Sequence, residues 1–106
     1  MVHLEDPLKD YILQIVRSTR DPGQFKMPQL ASLIAFGASP RASIYLAQTA
    51  QAHAFLDGRG YVTPEDIKAV AADVLRHRVI LTYEAEAEEL TPDQIVARVL
   101  EGVDVP

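Results

Sequence analysis

A mainly α-helical domain is what the sequence predicts: a small bundle of four or five helices with at most one short β pairing. Two observations carry that prediction. Apolar residues recur at i, i+3, i+4 and i+7 in separate stretches, the period of a helix with one buried face. At Asp6-Pro7, Ser39-Pro40, Thr63-Pro64 and Thr91-Pro92 a residue able to cap a helix also stands directly before a proline and ahead of an apolar stretch. That pairing suits a helix start, because a side-chain oxygen accepts an orphan amide and the proline has none to lose.

The first helix opens at Asp6-Pro7 and carries the stripe Leu8, Tyr11, Ile12, Ile15 and Val16. It ends near Arg20, where Asp21-Pro22-Gly23 signals a turn. Pro28, Leu30, Leu33 and Ile34 suggest one short helix stopped by Gly37. The next helix, from Ser39-Pro40 to about Leu56, is apolar nearly all round, so a central place in the bundle is expected. Thr63-Pro64-Glu65-Asp66 reads as a capping box before the stripe Ile67, Val70, Ala71, Val74 and Leu75. Arg76, His77 and Arg78 close that helix, cations at the negative end of its dipole. Val79–Tyr83 is apolar and β-branched and suits a short strand, with Val2-His3-Leu4 as a candidate partner. Residues 84–89 read as an acidic connector, and Thr91 caps a last helix with Ile95, Val96, Val99 and Leu100 on its apolar face. One domain therefore spans residues 1–106, with a helical body over 1–83 and the connector plus last helix over 84–106.

Composition narrows the functions open to such a domain. With 106 residues, 48% of them hydrophobic, one core can form, but not a nucleotide-binding α/β domain with an accessory domain. There is no apolar run of about 18 residues and no basic-then-apolar start, so neither a spanning helix nor a secretory signal is expected. The absence of cysteine excludes thiol nucleophiles, thiolate zinc sites and disulfides. The cytoplasm is the default compartment. Of the net charge of −5, residues 84–106 contribute seven acids against one base, whereas residues 1–83 are nearly neutral. Nucleic-acid binding is thereby disfavoured, including a histone-like reading of Gly58–Ile67, because phosphate-tracking proteins carry a basic excess.

Catalytic signatures are missing. No phosphate-cradling G-x-x-x-x-G-K-[ST] loop and no G-x-S-x-G elbow occur. His3, His53 and His77 lack metal-ligand spacing, and His53 shares a stripe with Leu46 and Ala50 that suits a half-buried, hydrogen-bonded imidazole. Glu84, Glu86, Glu88 and Glu89 could attract a hard cation, but a solvated connector is the plainer reading. Taken by itself the polypeptide is not expected to be an enzyme. Arg41 is the residue out of keeping, a cation near the positive end of a helix dipole. Either a nearby carboxylate or solvent accommodates it, or its planar fork and free helix amides form an anion site suited to phosphate.

Gly37–Ala42, reading GASPRA, resembles the sensor-2 motif of MoxR-type AAA+ ATPases. YILQIVRSTRDP at 11–22, GRGYVTPEDIKAVAADVLRHR at 58–78 and EAEAEELTPDQIV at 84–96 extend the resemblance over essentially the whole chain. The resemblance implies the helical lid that follows a nucleotide-binding core, a core expected to precede Met1. It implies that Arg41 reaches the γ-phosphate of ATP, with Ser39 and Pro40 positioning its helix start. Arg20, Arg76 and Arg78 match family patterns too, which implies contacts to the core or to a neighbouring subunit. The implied parent is a hexameric, chaperone-like ring that uses ATP with Mg2+ and remodels partners, often proteins with von Willebrand A domains. The phosphate-binding and finger elements of such enzymes are absent from these residues, so this segment alone is expected neither to hydrolyse ATP nor to bind it tightly. The alternative is a stand-alone helical interaction module, although core packing is expected to leave no apolar face over.

Overall fold

A computed structural model describes residues 2–25 and 27–106; Met1, where the resemblance places the join to a core, lies outside them. The described residues form five α-helices: α1 (Asp6–Arg20), α2 (Arg41–Leu56), α3 (Pro64–Leu75), α4 (Tyr83–Ala87) and α5 (Pro92–Gly102). Between α1 and α2 lie two 3-10 turns, Pro22–Phe25 and Pro28–Leu30, and a strand β1 (Ile34–Phe36). Strand β2 (Ile80–Leu81) pairs with it antiparallel, Ile34 opposite Leu81 and Phe36 opposite Ile80.

Periodicity translates into packing with little loss in α1, α3 and α5. Leu8, Tyr11, Ile12, Ile15 and Val16 are buried on α1, Ile67, Val70, Ala71, Val74 and Leu75 on α3, and Ile95, Val96 and Val99 on α5. These stripes converge with Leu30, Leu46 and Met27 on one core. Capping boxes open α3 at Thr63–Asp66 and α5 at Thr91–Gln94; Asp66 accepts the Thr63 N–H, and at α5 Thr91 and Gln94 close two orphan amides reciprocally. At α1 the cap is Glu5, one residue earlier than expected, and Asp6 instead pairs with Lys9 at 3.4 Å.

Four expectations are corrected. Residues 28–34 do not form a helix: one 3-10 turn gives way to β1, because Ile34–Phe36 finds a ladder partner in β2. Val2–Leu4 does not pair with Val79–Tyr83; His3 bridges Tyr61 instead, with His3 N–H donating to Gly60 O and Val62 N–H to His3 O. The acidic segment is partly helical, since Thr82 Oγ1 accepts from Ala85 N–H and caps α4 while Ala85 is buried. Finally, α2 is not enclosed. Only Ala42, Leu46, Ala50 and Ala54 are buried, a stripe of spacing four against α3 and α1, while Ile44, Phe55 and Leu56 face outward. Three alanines in that stripe let α2 and α3 approach closely, and they use up only one side of the helix.

Candidate functional site

The GASPRA loop is fastened to the end of α1. A Cβ on Gly37 would overlap the Thr19 carbonyl and the Arg20 amide nitrogen, so only glycine lets the chain lie against that backbone. One residue on, Ala38 N–H donates to Thr19 Oγ1 at 2.9 Å, and the same hydroxyl donates to Val16 O at 2.6 Å. Thr19 and Ala38 are fully buried, so both bonds are shielded from water. From this anchor Ser39 and Pro40 turn outward, and α2 begins at Arg41.

Arg41 is exposed, as are Ser39 and Pro40. Among the described residues no carboxylate lies within ion-pair distance of it, which removes the salt-bridge explanation of its place. The expected cradle of free amides is narrower than a bare helix start offers. Pro40 already has helical dihedrals (φ −55°, ψ −27°), and Ala42 and Ser43 N–H donate to Ser39 O and Pro40 O at 2.9 and 3.1 Å. The Ser43 hydroxyl donates to Pro40 O at 2.6 Å as well. Pro40 has no N–H to offer and those two amides are taken, so the Arg41 backbone N–H is the first-turn donor left beside the exposed guanidinium.

The remaining arginines divide. Arg76 is committed within the domain, a fork of two bonds to Asp93 at 2.6 and 2.9 Å with Asp73 at 3.3 Å. It ties the end of α3 to the start of α5 and holds the Asp93 carboxyl below the usual range. Arg78, two residues on, points elsewhere: its guanidinium lies 4.8 Å from the centroid of the Tyr45 ring on α2. Arg20 and Arg17 line a shallow depression with Asp21, Gln24 and Phe25.

A buried polar cluster clamps α2 to α3. Asp66 has no exposed surface and accepts from His53 Nδ1 at 2.7 Å, from Thr63 N–H at 2.7 Å, from Thr63 Oγ1 at 3.0 Å and from Arg59. Burial alone would raise its pKa, but these hydrogen bonds, Arg59's foremost, outweigh it and hold the carboxyl well below the carboxylate range. His53 is thus the hydrogen-bonded, half-buried imidazole the stripe suggested. The sequence marked Asp66 as a capping residue, but not that His53 and Arg59 converge on it across the α2–α3 loop.

Thr19 and Gly37 were missed as a pair as well, since nothing local relates residues 18 positions apart. An open face also exists where none was expected. Leu4, Ile12, Leu13, Ile44 and Ala47 line an apolar groove of about 320 Å³ between α1 and α2. Among the described residues no group of three or more His, Asp or Glu could hold a metal ion.

Comparison with known proteins places this geometry. The profile of the AAA lid domain family matches residues 30–99. Chaperone MoxR1 of Mycobacterium tuberculosis is 46% identical over 99 residues, covering 93% of this chain and 26% of that protein. Protein MoxR of Methylorubrum extorquens is 35% identical over 111 residues, covering 99% of this chain and 32% of that protein. A crystal structure of a candidate ATPase from Cytophaga hutchinsonii shares the fold with a TM-score of 0.94 and 46% identity, over 99% of this chain and 32% of that one. The chain spans about a quarter to a third of the length of these relatives.

Proposed function

The chain belongs to the AAA lid domain family, and from that premise we propose that Arg41 is the residue through which this AAA+ lid reads the γ-phosphate of ATP. The observation that carries the reading is a free, exposed guanidinium at the first residue of α2, on a loop pinned to α1 through Gly37 and Thr19. A cation there is unfavourable to its own helix by a few tenths of a kcal/mol to about 1. A bound phosphate oxyanion reverses that sign. Arg41 suits the task because it stays charged and offers two parallel donors to two oxygens.

Ser39 and Pro40 contribute by position, their carbonyls accepting the amides that fix the direction of α2. The nucleotide supplies the scissile phosphoanhydride, and Arg41 stabilises negative charge on the terminal phosphoryl oxygens. Because the loop is anchored to α1, a pull on Arg41 passes to the whole bundle, coupling nucleotide state to the angle of the lid. Magnesium does not fit here, since no acidic cluster among the described residues could ligate it. Its ligands belong, on this reading, to a nucleotide-binding core outside the described residues.

Two relatives that bear the name MoxR, one of them called a chaperone, support a chaperone-like role for the parent protein, and the wider reading extends that role. The parent protein acts as a cytoplasmic, hexameric ring that remodels partner proteins, those with von Willebrand A domains among them. The test is Arg41→Ala in the protein that carries this lid. ATP turnover is expected to fall about 10-fold or more, the cost of one lost transition-state donor. Unchanged kcat and KM would remove the assignment.

A further inference from the structure

We propose that Arg78 is a second phosphate-binding residue, held beside Arg41 by the ring of Tyr45, so that the lid grips a polyphosphate with two guanidinium groups. The inference rests on the nucleotide-sensing reading of Arg41 and extends it to a residue from another helix end.

The juxtaposition comes from helix geometry. Tyr45 follows Arg41 by four residues on α2, so their side chains are neighbours on one face, with Cβ atoms about 5–6 Å apart. Arg78 comes in from beyond the end of α3 and lies over the same ring at 4.8 Å. The tyrosine therefore lies under one arginine and shares a helix face with the other, 37 positions away in sequence.

Both guanidinium groups are exposed, and among the described residues neither has a carboxylate within ion-pair distance. Arg59 and Arg76 show what a structural arginine looks like in this fold, each bound to two aspartates. Arg78 makes one bond to protein, Nη1 donating to Val74 O at 2.9 Å. That bond and the ring fix the plane of its guanidinium while leaving further N–H donors uncommitted. Two positive groups gathered without a counter-charge repel each other. A polyanion with several phosphoryl groups relieves that repulsion by offering oxyanions to both.

The test follows the side-chain Nε–H resonances of Arg41 and Arg78 while inorganic tripolyphosphate is added to this chain, with sodium chloride of matched ionic strength as control. Both resonances are expected to move together with tripolyphosphate and to stay in place with chloride. Arg78→Gln is expected to weaken the apparent affinity about threefold or more, as befits a solvent-exposed charge contact. Tyr45→Leu keeps both cations but removes the ring between them, and is expected to weaken it similarly; it decides the matter if Arg78→Gln melts early. Movement of Arg41 alone, or undiminished affinity in the folded variants, would overturn the role of Arg78 and leave that of Arg41 standing. If neither resonance moves, the two-arginine grip falls, and the reading of Arg41 stands or falls on the turnover of Arg41→Ala.

Discussion

Ala38 donates its backbone amide to the Thr19 hydroxyl across 2.9 Å, and through that one bond the loop preceding Arg41 is tied to the last turn of α1. Thr19 Oγ1 donates in turn to Val16 O, so the hydroxyl both accepts and donates in a site closed to water. Thr19→Val keeps the shape and removes the hydroxyl, leaving a buried N–H without an acceptor. Urea unfolding should show a loss of about 1–3 kcal/mol, the cost of an unsatisfied buried donor. An unchanged midpoint and slope would mean that the loop finds another acceptor.

Gly37 and Gly102 make a matched comparison. A Cβ at Gly37 would run into the backbone of Thr19 and Arg20, which cannot move without dislodging α1. A Cβ at Gly102 would meet only the Met27 side chain, whose three rotatable bonds let it retreat. Gly37→Ala should therefore cost about 1–3 kcal/mol or more, as overpacking does. Gly102→Ala should fall within about 1 kcal/mol of the parent, helped by the better helix propensity of alanine. Equal melting temperatures for the two variants would contradict this picture.

Asp66 sets the response to acid. Its carboxyl is held below the unfolded value near 3.8, so ionised Asp66 stabilises the fold fully at pH values above that point. As pH falls below it the unfolded chain takes up the proton first, and the stabilisation is progressively lost. Asp66→Asn abolishes this dependence and, by leaving its donors facing an uncharged amide, should cost about 3 kcal/mol at neutral pH. Denaturation series at several pH values check both. A variant with the same loss of stability between pH 5 and 3 as the parent would show that other carboxylates govern acid unfolding.

What could be read from the sequence was whatever local chemistry determines. The stripe on α1 and the capping boxes at Thr63 and Thr91 need only neighbours within one or two turns, and they appear where the spacing put them. Ile34–Phe36 depends on a ladder partner some 45 residues away, so a three-residue strand leaves too short a pattern to distinguish from a helix turn. The apolar circumference of α2 correctly signals burial of Leu46 and Ala50, but composition cannot tell which side is covered. At the candidate site, Arg41 was legible as a cation at a helix start. Its amide surroundings were not, because the dihedrals of Pro40 decide where the first-turn hydrogen bonds go.

On α5 two stabilising effects can be ranked. Thr91 Oγ1 accepts from Gln94 N–H at 3.2 Å, and Gln94 Oε1 accepts from Thr91 N–H at 2.9 Å, so the cap is complete but exposed. Ile95, one residue further, is fully buried among the core residues. Thr91→Ala should cost about 1 kcal/mol, the usual loss of a cap. Ile95→Ala should cost about 2–5 kcal/mol, since the lost transfer energy is compounded by the cavity it leaves. A helix of 11 residues is too short to persist by its own propensity, so packing has to dominate. Chemical denaturation of the two variants decides the ranking. Should Thr91→Ala prove the more damaging, α5 would be held by its first turn and not by its contacts with the bundle.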